Sequence, residues 1–103
     1  MKIKAELEIK IEMGIGSRIG TGCQGYLPEG TRYEDVVLVF GEPQLGESQD
    51  GKIKVEWIGR INGLSFTIYD YKSKLAPERN TNWHIGGKHR LVADLVNIYF
   101  KAQ

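Results

Sequence analysis

"KIKVEWIGRINGLSFTIYDYK", residues 52–72, decides the fold class, because it reads as one antiparallel hairpin. Asn62-Gly63 is the pair that two-residue type I′ turns favour, since both central positions need positive φ. Counting outward from that turn, Ile61 opposes Leu64, Gly59 opposes Phe66, Trp57 opposes Ile68 and Val55 opposes Asp70. Directly opposed residues share a face. One face then collects Val55, Trp57, Ile61, Leu64, Phe66 and Ile68, so turn chemistry and hydrophobic alternation give the same register. Phe66 is expected to cover the gap left by Gly59. The other face carries Lys54, Glu56, Ile58, Arg60, Ser65, Thr67, Tyr69 and Tyr71. Tyr69 and Tyr71 lie one side-chain repeat apart, so both rings project the same way. Asp70 closes the apolar face, where it bonds backbone or the Trp83 indole N–H, or stays solvated.

Upstream, "TRYEDVVLVFGEP" (31–43) predicts a helix over 32–40. Thr31 is the expected N-cap, with Glu34 completing a T-x-x-E capping box. Tyr33, Val36, Val37 and Phe40 share a face at helical spacing. Gly41 and Pro43 end the helix. Leu38 and Val39 fall off that stripe, and their surplus apolar surface predicts a homo-oligomer. "KIKAELEIKIE" (2–12) alternates strictly. It reads as a half-buried strand with Ile3, Ala5, Leu7, Ile9 and Ile11 inward. "GIGSRIGTGCQG" (14–25) holds five glycines and is either a bulged strand or a long loop. Its spacing does not fit a phosphate-binding Walker loop.

Downstream, residues 73–82 form a loop. Trp83, His84 and Ile85 make a short extended segment, an edge strand, which Gly86-Gly87 breaks. A closing helix runs from Lys88 to about Lys101, with Leu91, Val92, Leu95, Val96, Ile98 and Tyr99 as its apolar face. The expected architecture is α+β: an antiparallel β-sheet of three to five strands with two α-helices packed on one face, in a single domain spanning 1–103.

Composition narrows the function. Apolar content of 41% and charged content of 26% suit a globular chain. A net charge of +1 offers little counterion release, which makes DNA binding an unfavoured reading. Cys23, the single cysteine, excludes an internal disulfide. No apolar run reaches membrane-spanning length, and the charged N-terminal alternation is not a signal peptide. The expected location is cytoplasmic, without membrane contact.

"WHIGGKHR" (83–90) carries the chemical expectation. Lys88, His89 and Arg90 stand at the start of a helix, the pole that disfavours cations. A bound anion would resolve this, because unpaired helix N–H groups and basic side chains both attract it. Gly86, Gly87, Lys88, His89 and Arg90 are therefore the candidate phosphate site. Trp83, His84, Tyr69 and Tyr71 are the candidate aromatic partners for a base. The opposing reading, a glycine turn with solvated cations, costs only some tenths of a kcal/mol per charge. His84 and His89 lack helical metal-ligand spacing and a third ligand, so no metal or cofactor is expected. Nothing in the local sequence activates Cys23 as a nucleophile. No catalytic residue is assigned.

"GYLPEGTRYEDVVLVFGEP", "DGKIKVEW", "FTIYDYK" and "NWHIGGK" resemble a family of small accessory proteins encoded by tailed phages. The resemblance covers roughly residues 21–100 and carries no catalytic residues. It implies a role in the cytoplasm of an infected bacterial host. By analogy with small phage proteins, the leading expectation is a non-catalytic counter-defence protein that sequesters a phosphate-bearing, nucleotide-like signal. Two alternatives stand beside it. One is an inhibitor that binds a host defence protein. The other is a small enzyme that degrades a phosphorylated signal, with His84 or His89 as acid or base.

Overall fold

The computed structural model describes residues 8–103. At its centre is the expected hairpin, β3 (Glu56–Ile61) and β4 (Leu64–Tyr69), paired Trp57 to Ile68, Gly59 to Phe66 and Ile61 to Leu64. Asn62 and Gly63 take φ of 49° and 79°, as a type I′ turn requires. A Cβ on Gly59 would lie 2.8 Å from the Phe66 ring, so Phe66 does fill that gap. The ladder ends at Glu56 and Tyr69, one pair short of expectation. In place of a Val55–Asp70 backbone pair, the Asp70 carboxylate accepts the Lys54 and Val55 N–H groups at 2.8 and 3.1 Å. Trp83 does not bond Asp70. Its Nε1–H donates to the Thr31 carbonyl at 2.9 Å.

Five strands form one antiparallel sheet in the order β1-β3-β4-β5-β2, with β1 at Ile11–Met13, β2 at Gly22–Tyr26 and β5 at His84–Gly87. Ile9, Ile11 and Met13 pack against the core while Glu8, Lys10 and Glu12 are exposed, as the alternation predicts. Ile3, Ala5 and Leu7 of the expected first strand lie outside the described residues. β5 is not an edge strand, and its glycines do not break it. Gly86 pairs with Thr67 on one side and Cys23 on the other, and Gly87 pairs with Gly22.

Helix α1 (Tyr33–Phe40) buries Val36 and Phe40 against the core. Its capping box sits one residue later than expected: Asp35 accepts the Arg32 N–H at 2.9 Å, while the Thr31 hydroxyl turns back to the Pro28 carbonyl. Both ends of α1 are pinned by indoles, one from β3 and one from the residue just before β5. Trp83 bonds Thr31 before the helix, and Trp57 bonds Gly41 after it at 2.7 Å. The two indoles meet edge to face at 5.4 Å. Leu38 does stand in solvent at 86% exposure, but Val39 packs partly against the core. The apolar surplus expected of this pair is therefore Leu38 alone.

Helix α2 (Arg90–Lys101) starts two residues later than expected and packs on β2, β5, β4 and β3. Its buried residues are Val92, Ala93, Leu95 and Val96, whereas Leu91 and Ile98 are exposed. Two glycines cause this rotation. A Cβ on Gly25 would meet Ala93 at 2.9 Å, and one on Gly87 would meet Val92 at 3.0 Å. Without side chains there, α2 settles close to the sheet on its Val92–Ala93 side.

Because β1 and β2 occupy opposite edges, the glycine-rich residues 14–21 between them must cross the sheet. They form a strap over the face away from the helices. The Gly14 N–H donates to the Ile58 carbonyl at 2.8 Å, and the Ser17 N–H to the Ser65 hydroxyl at 3.2 Å. Arg18 donates to Glu56 at 2.8 Å. Gly16 has φ of 140°, and a Cβ there would stand 2.7 Å from the Gly59 carbonyl oxygen. The glycine-rich segment is thus both forms considered: a strap, then strand β2.

Candidate functional site

The sheet face beneath the strap is laid out in rows. Glu56, Tyr69, His84 and Tyr26 pair successively across β3, β4, β5 and β2. The next row is Ile58, Thr67, Gly86 and Cys23. Neighbouring strands lie about 4.8 Å apart, so side chains along a row touch. The first row supplies rings: Tyr69 stacks on His84 at 5.3 Å and 21°, and Tyr26 meets His84 at 4.8 Å. Tyr71, just beyond the end of β4, closes on His84 at 5.6 Å and on Tyr69 at 6.4 Å.

The second row supplies space, because Gly86 has no side chain. A Cβ there would overlap the Thr67 hydroxyl and come within 3.3 Å of the Tyr69 ring. Cys23, Tyr26, Tyr69, Tyr71 and His84 line a cleft of about 420 Å³. Its walls are mostly aromatic, with a thiol, an imidazole and the tyrosine hydroxyls as polar groups. Cys23 is exposed, and its Sγ lies 3.6 Å from His84 Nδ1.

Burial decides the charge states here. It lowers the His84 pKa from the ordinary histidine value, and the nearby Asp70 carboxylate offsets this only in part. The neutral imidazole is therefore favoured. Burial also raises the Tyr69 phenol to about 12, aided by the Cys23 side chain. The Tyr26 phenol is raised, chiefly by its hydrogen bond with Cys23. Burial raises Glu56 as well, and Arg18 beside it opposes that shift.

A pH dependence follows for His84. Its folded pKa lies below the unfolded value, so its contribution to stability is present above about pH 6.5. That contribution is lost as pH falls towards the lower folded value, because the unfolded chain takes up the proton first. Glu56 has the opposite sign, gaining as pH falls through its raised pKa, and so acts further towards acid. Between pH 7.5 and 6, wild type should lose more melting temperature than His84→Phe. Equal slopes in the two proteins would show that His84 is not held neutral.

The structure gathers only part of the residues expected at this site. Tyr69, Tyr71 and His84 come together. Trp83, one residue from His84, points to the other face and is 1% exposed, so it offers no surface to a base. Gly86 and Gly87 are buried in β5, and their backbone belongs to the sheet instead of opening a helix N-terminus. Lys88, His89 and Arg90 are exposed, with His89 the N-cap residue of α2. Lys88 reaches the strap, its Cε 3.6 Å from where a Gly20 Cβ would be. Tyr26 and Cys23 were not expected. A bulge between Cys23 and Gly25 puts these residues, three apart, on one face and hides them from an alternation test.

Among the described residues, no three His, Cys, Asp or Glu side chains come together as metal ligands. No described helix is long and apolar enough to cross a membrane. No family model matches this chain, and no match to it was found among curated proteins or solved structures.

Proposed function

We propose that this protein sequesters a nucleotide-like signal without converting it, acting as a phage counter-defence protein in the cytoplasm of an infected bacterial host. The observation that carries this reading is the ring of Tyr26, Tyr69, Tyr71 and His84 around one open cleft. Aromatic faces take a planar base by stacking, worth about 1–3 kcal/mol per base. The gap at Gly86 supplies depth, and a neutral His84 can accept or donate one hydrogen bond to a base edge. The sheet register holds Tyr26, Tyr69 and His84 in place before any ligand arrives, which limits the ordering cost of binding.

The test is direct. Protein purified from infected, defence-active cells is heated, and the released small molecules are identified by mass spectrometry. An intact nucleotide-like compound, absent from a Tyr71→Ala preparation, is the expected result. Tyr71→Ala should weaken binding of that compound about tenfold or more with little change in melting temperature, since Tyr71 is exposed. Wild-type protein that carries and binds no such compound would overturn the reading.

A second reading, a small enzyme acting on a phosphorylated signal, has one observation behind it. The Cys23 thiol and a neutral His84 imidazole lie 3.6 Å apart, the arrangement a base and its nucleophile need. Conversion of the compound by wild type but not by Cys23→Ser would favour the enzyme. Recovery of the compound unchanged after long incubation favours sequestration.

A further inference from the structure

We infer that the ligand is a nucleoside phosphate whose phosphate lies in a second hollow, between the strap and the loop before β3, against Arg18 and Lys52. The inference rests on the cleft reading above and extends it. The second hollow measures about 500 Å³ and is lined by Arg18, Ser48, Asp50, Lys52 and Tyr71 among others. Tyr71 lines both hollows, so the two adjoin at one ring.

The cross-strand row sets the distance. Glu56 is two strands from His84 in that row, about 10 Å at the ordinary strand spacing. Arg18 lies directly on Glu56. A base stacked at His84 and Tyr71 therefore places an attached phosphate within reach of Arg18.

Arg18 is suited to this by its partner. Its Nη1 donates to Glu56 at 2.8 Å, and Glu56 is only 3% exposed, so the guanidinium is anchored from below. The Arg18 side chain is still 53% exposed. A guanidinium has five N–H donors in a fixed fork, and those not spent on Glu56 remain for a phosphate. Lys52 adds a half-exposed ammonium, 4.0 Å from Asp50 Oδ2 and so only loosely paired, and Lys72 holds a further cation 5.4 Å above the Tyr71 ring. Asp50 is the acid at the rim. Its carboxylate is engaged by the Ser48 hydroxyl at 2.8 Å and the Lys52 N–H at 3.1 Å.

The test uses two pairs of probes, adenosine with AMP and guanosine with GMP. Occupancy of the cleft is read as protection of exposed Cys23 from maleimide labelling. In wild type, the monophosphate of at least one pair should protect at about tenfold lower concentration than its nucleoside, the effect of charge-assisted bonds. Lys52→Glu and Arg18→Gln should each reduce that advantage severalfold and leave nucleoside protection within about twofold. Equal protection by nucleoside and monophosphate in wild type, or an advantage that survives both substitutions, would overturn the phosphate hollow and leave the cleft standing. Cys23 labelling unaffected by all four probes at millimolar concentration would count against the cleft itself, and the hollow would fall with it. Arg18→Gln uncovers buried Glu56; should it fail to fold, the exposed Lys52→Glu decides the matter alone.

Discussion

Gly86→Val is expected to lower stability by about 3 kcal/mol and to close the aromatic cleft, the largest effect of any change at the site. For a chain of this size that is a fall of at least about 12 °C in melting temperature. The first added carbon already overlaps the Thr67 hydroxyl and presses the Tyr69 ring. Neither neighbour has room to yield. Thr67 is 1% exposed, and Tyr69 is stacked on His84. The backbone cannot step aside either, because Gly86 is paired on both sides. Gly22, one row further along β2, makes the control. A Cβ there meets nothing within 4 Å, so Gly22→Ala should melt as wild type does. A Gly86→Val protein that melts within a few degrees of wild type would refute this account of the cleft floor.

Asp70→Ala should cost about 3 kcal/mol, for a different reason. Asp70 is completely buried, and its Oδ1 takes two backbone N–H groups at the entrance to β3. Truncation leaves both part-buried donors without a protein partner, facing a fully buried position. Asp70→Asn separates the hydrogen bonds from the charge. Its carbonyl oxygen keeps both N–H bonds, and its amide takes the position of Oδ2, which has no partner among the described residues. It should therefore retain most of the stability that Asp70→Ala loses. It also removes the carboxylate that raises the His84 pKa, so His84 should titrate at still lower pH. Equal melting of Asp70→Ala and wild type, followed by circular dichroism, would show that these bonds do not stabilise the fold.

What the sequence disclosed depended on the range of each signal. The hairpin register was legible because Asn62-Gly63 sits between its own strands and the alternation has period two. Helix α1 was legible for the same local reason, although the cap moved from Thr31 to Arg32, the Thr31 hydroxyl being spent on the Pro28 carbonyl. The strap was not legible. Its path depends on β1 and β2 taking opposite edges, which residues 14–21 do not encode by periodicity. Gly86-Gly87 was misread because a glycine pair marks either a break or a close approach. Here it is close approach on both faces, by Thr67 and Tyr69 on one and Val92 on the other. The outward turn of Leu91 and Ile98 has the same origin, since it depends on a gap at Gly87 and on another at Gly25, far away in sequence. Of the candidate site, Tyr69, Tyr71 and His84 were legible as side chains on open strand positions. Their assembly with Tyr26 and Cys23 required the order of the strands.

The strap also orders the assembly of the chain. Only β3 and β4 are joined by a short turn. Ile11 and Ile61 are 50 positions apart, and Gly22 and Gly87 are 65 apart. β2 has only β5 as a neighbour, and β5 reaches β4 through the loop after Tyr71, so the central hairpin is expected to close first. The loop closures thus fall due from the centre outward. Both edge strands join late, drawn to opposite sides by the same eight-residue tether, residues 14–21. Such reliance on distant pairings is the mark of slow folding among small domains. The cleft, which needs β2 for Tyr26 and Cys23, is among the last features of the molecule to exist.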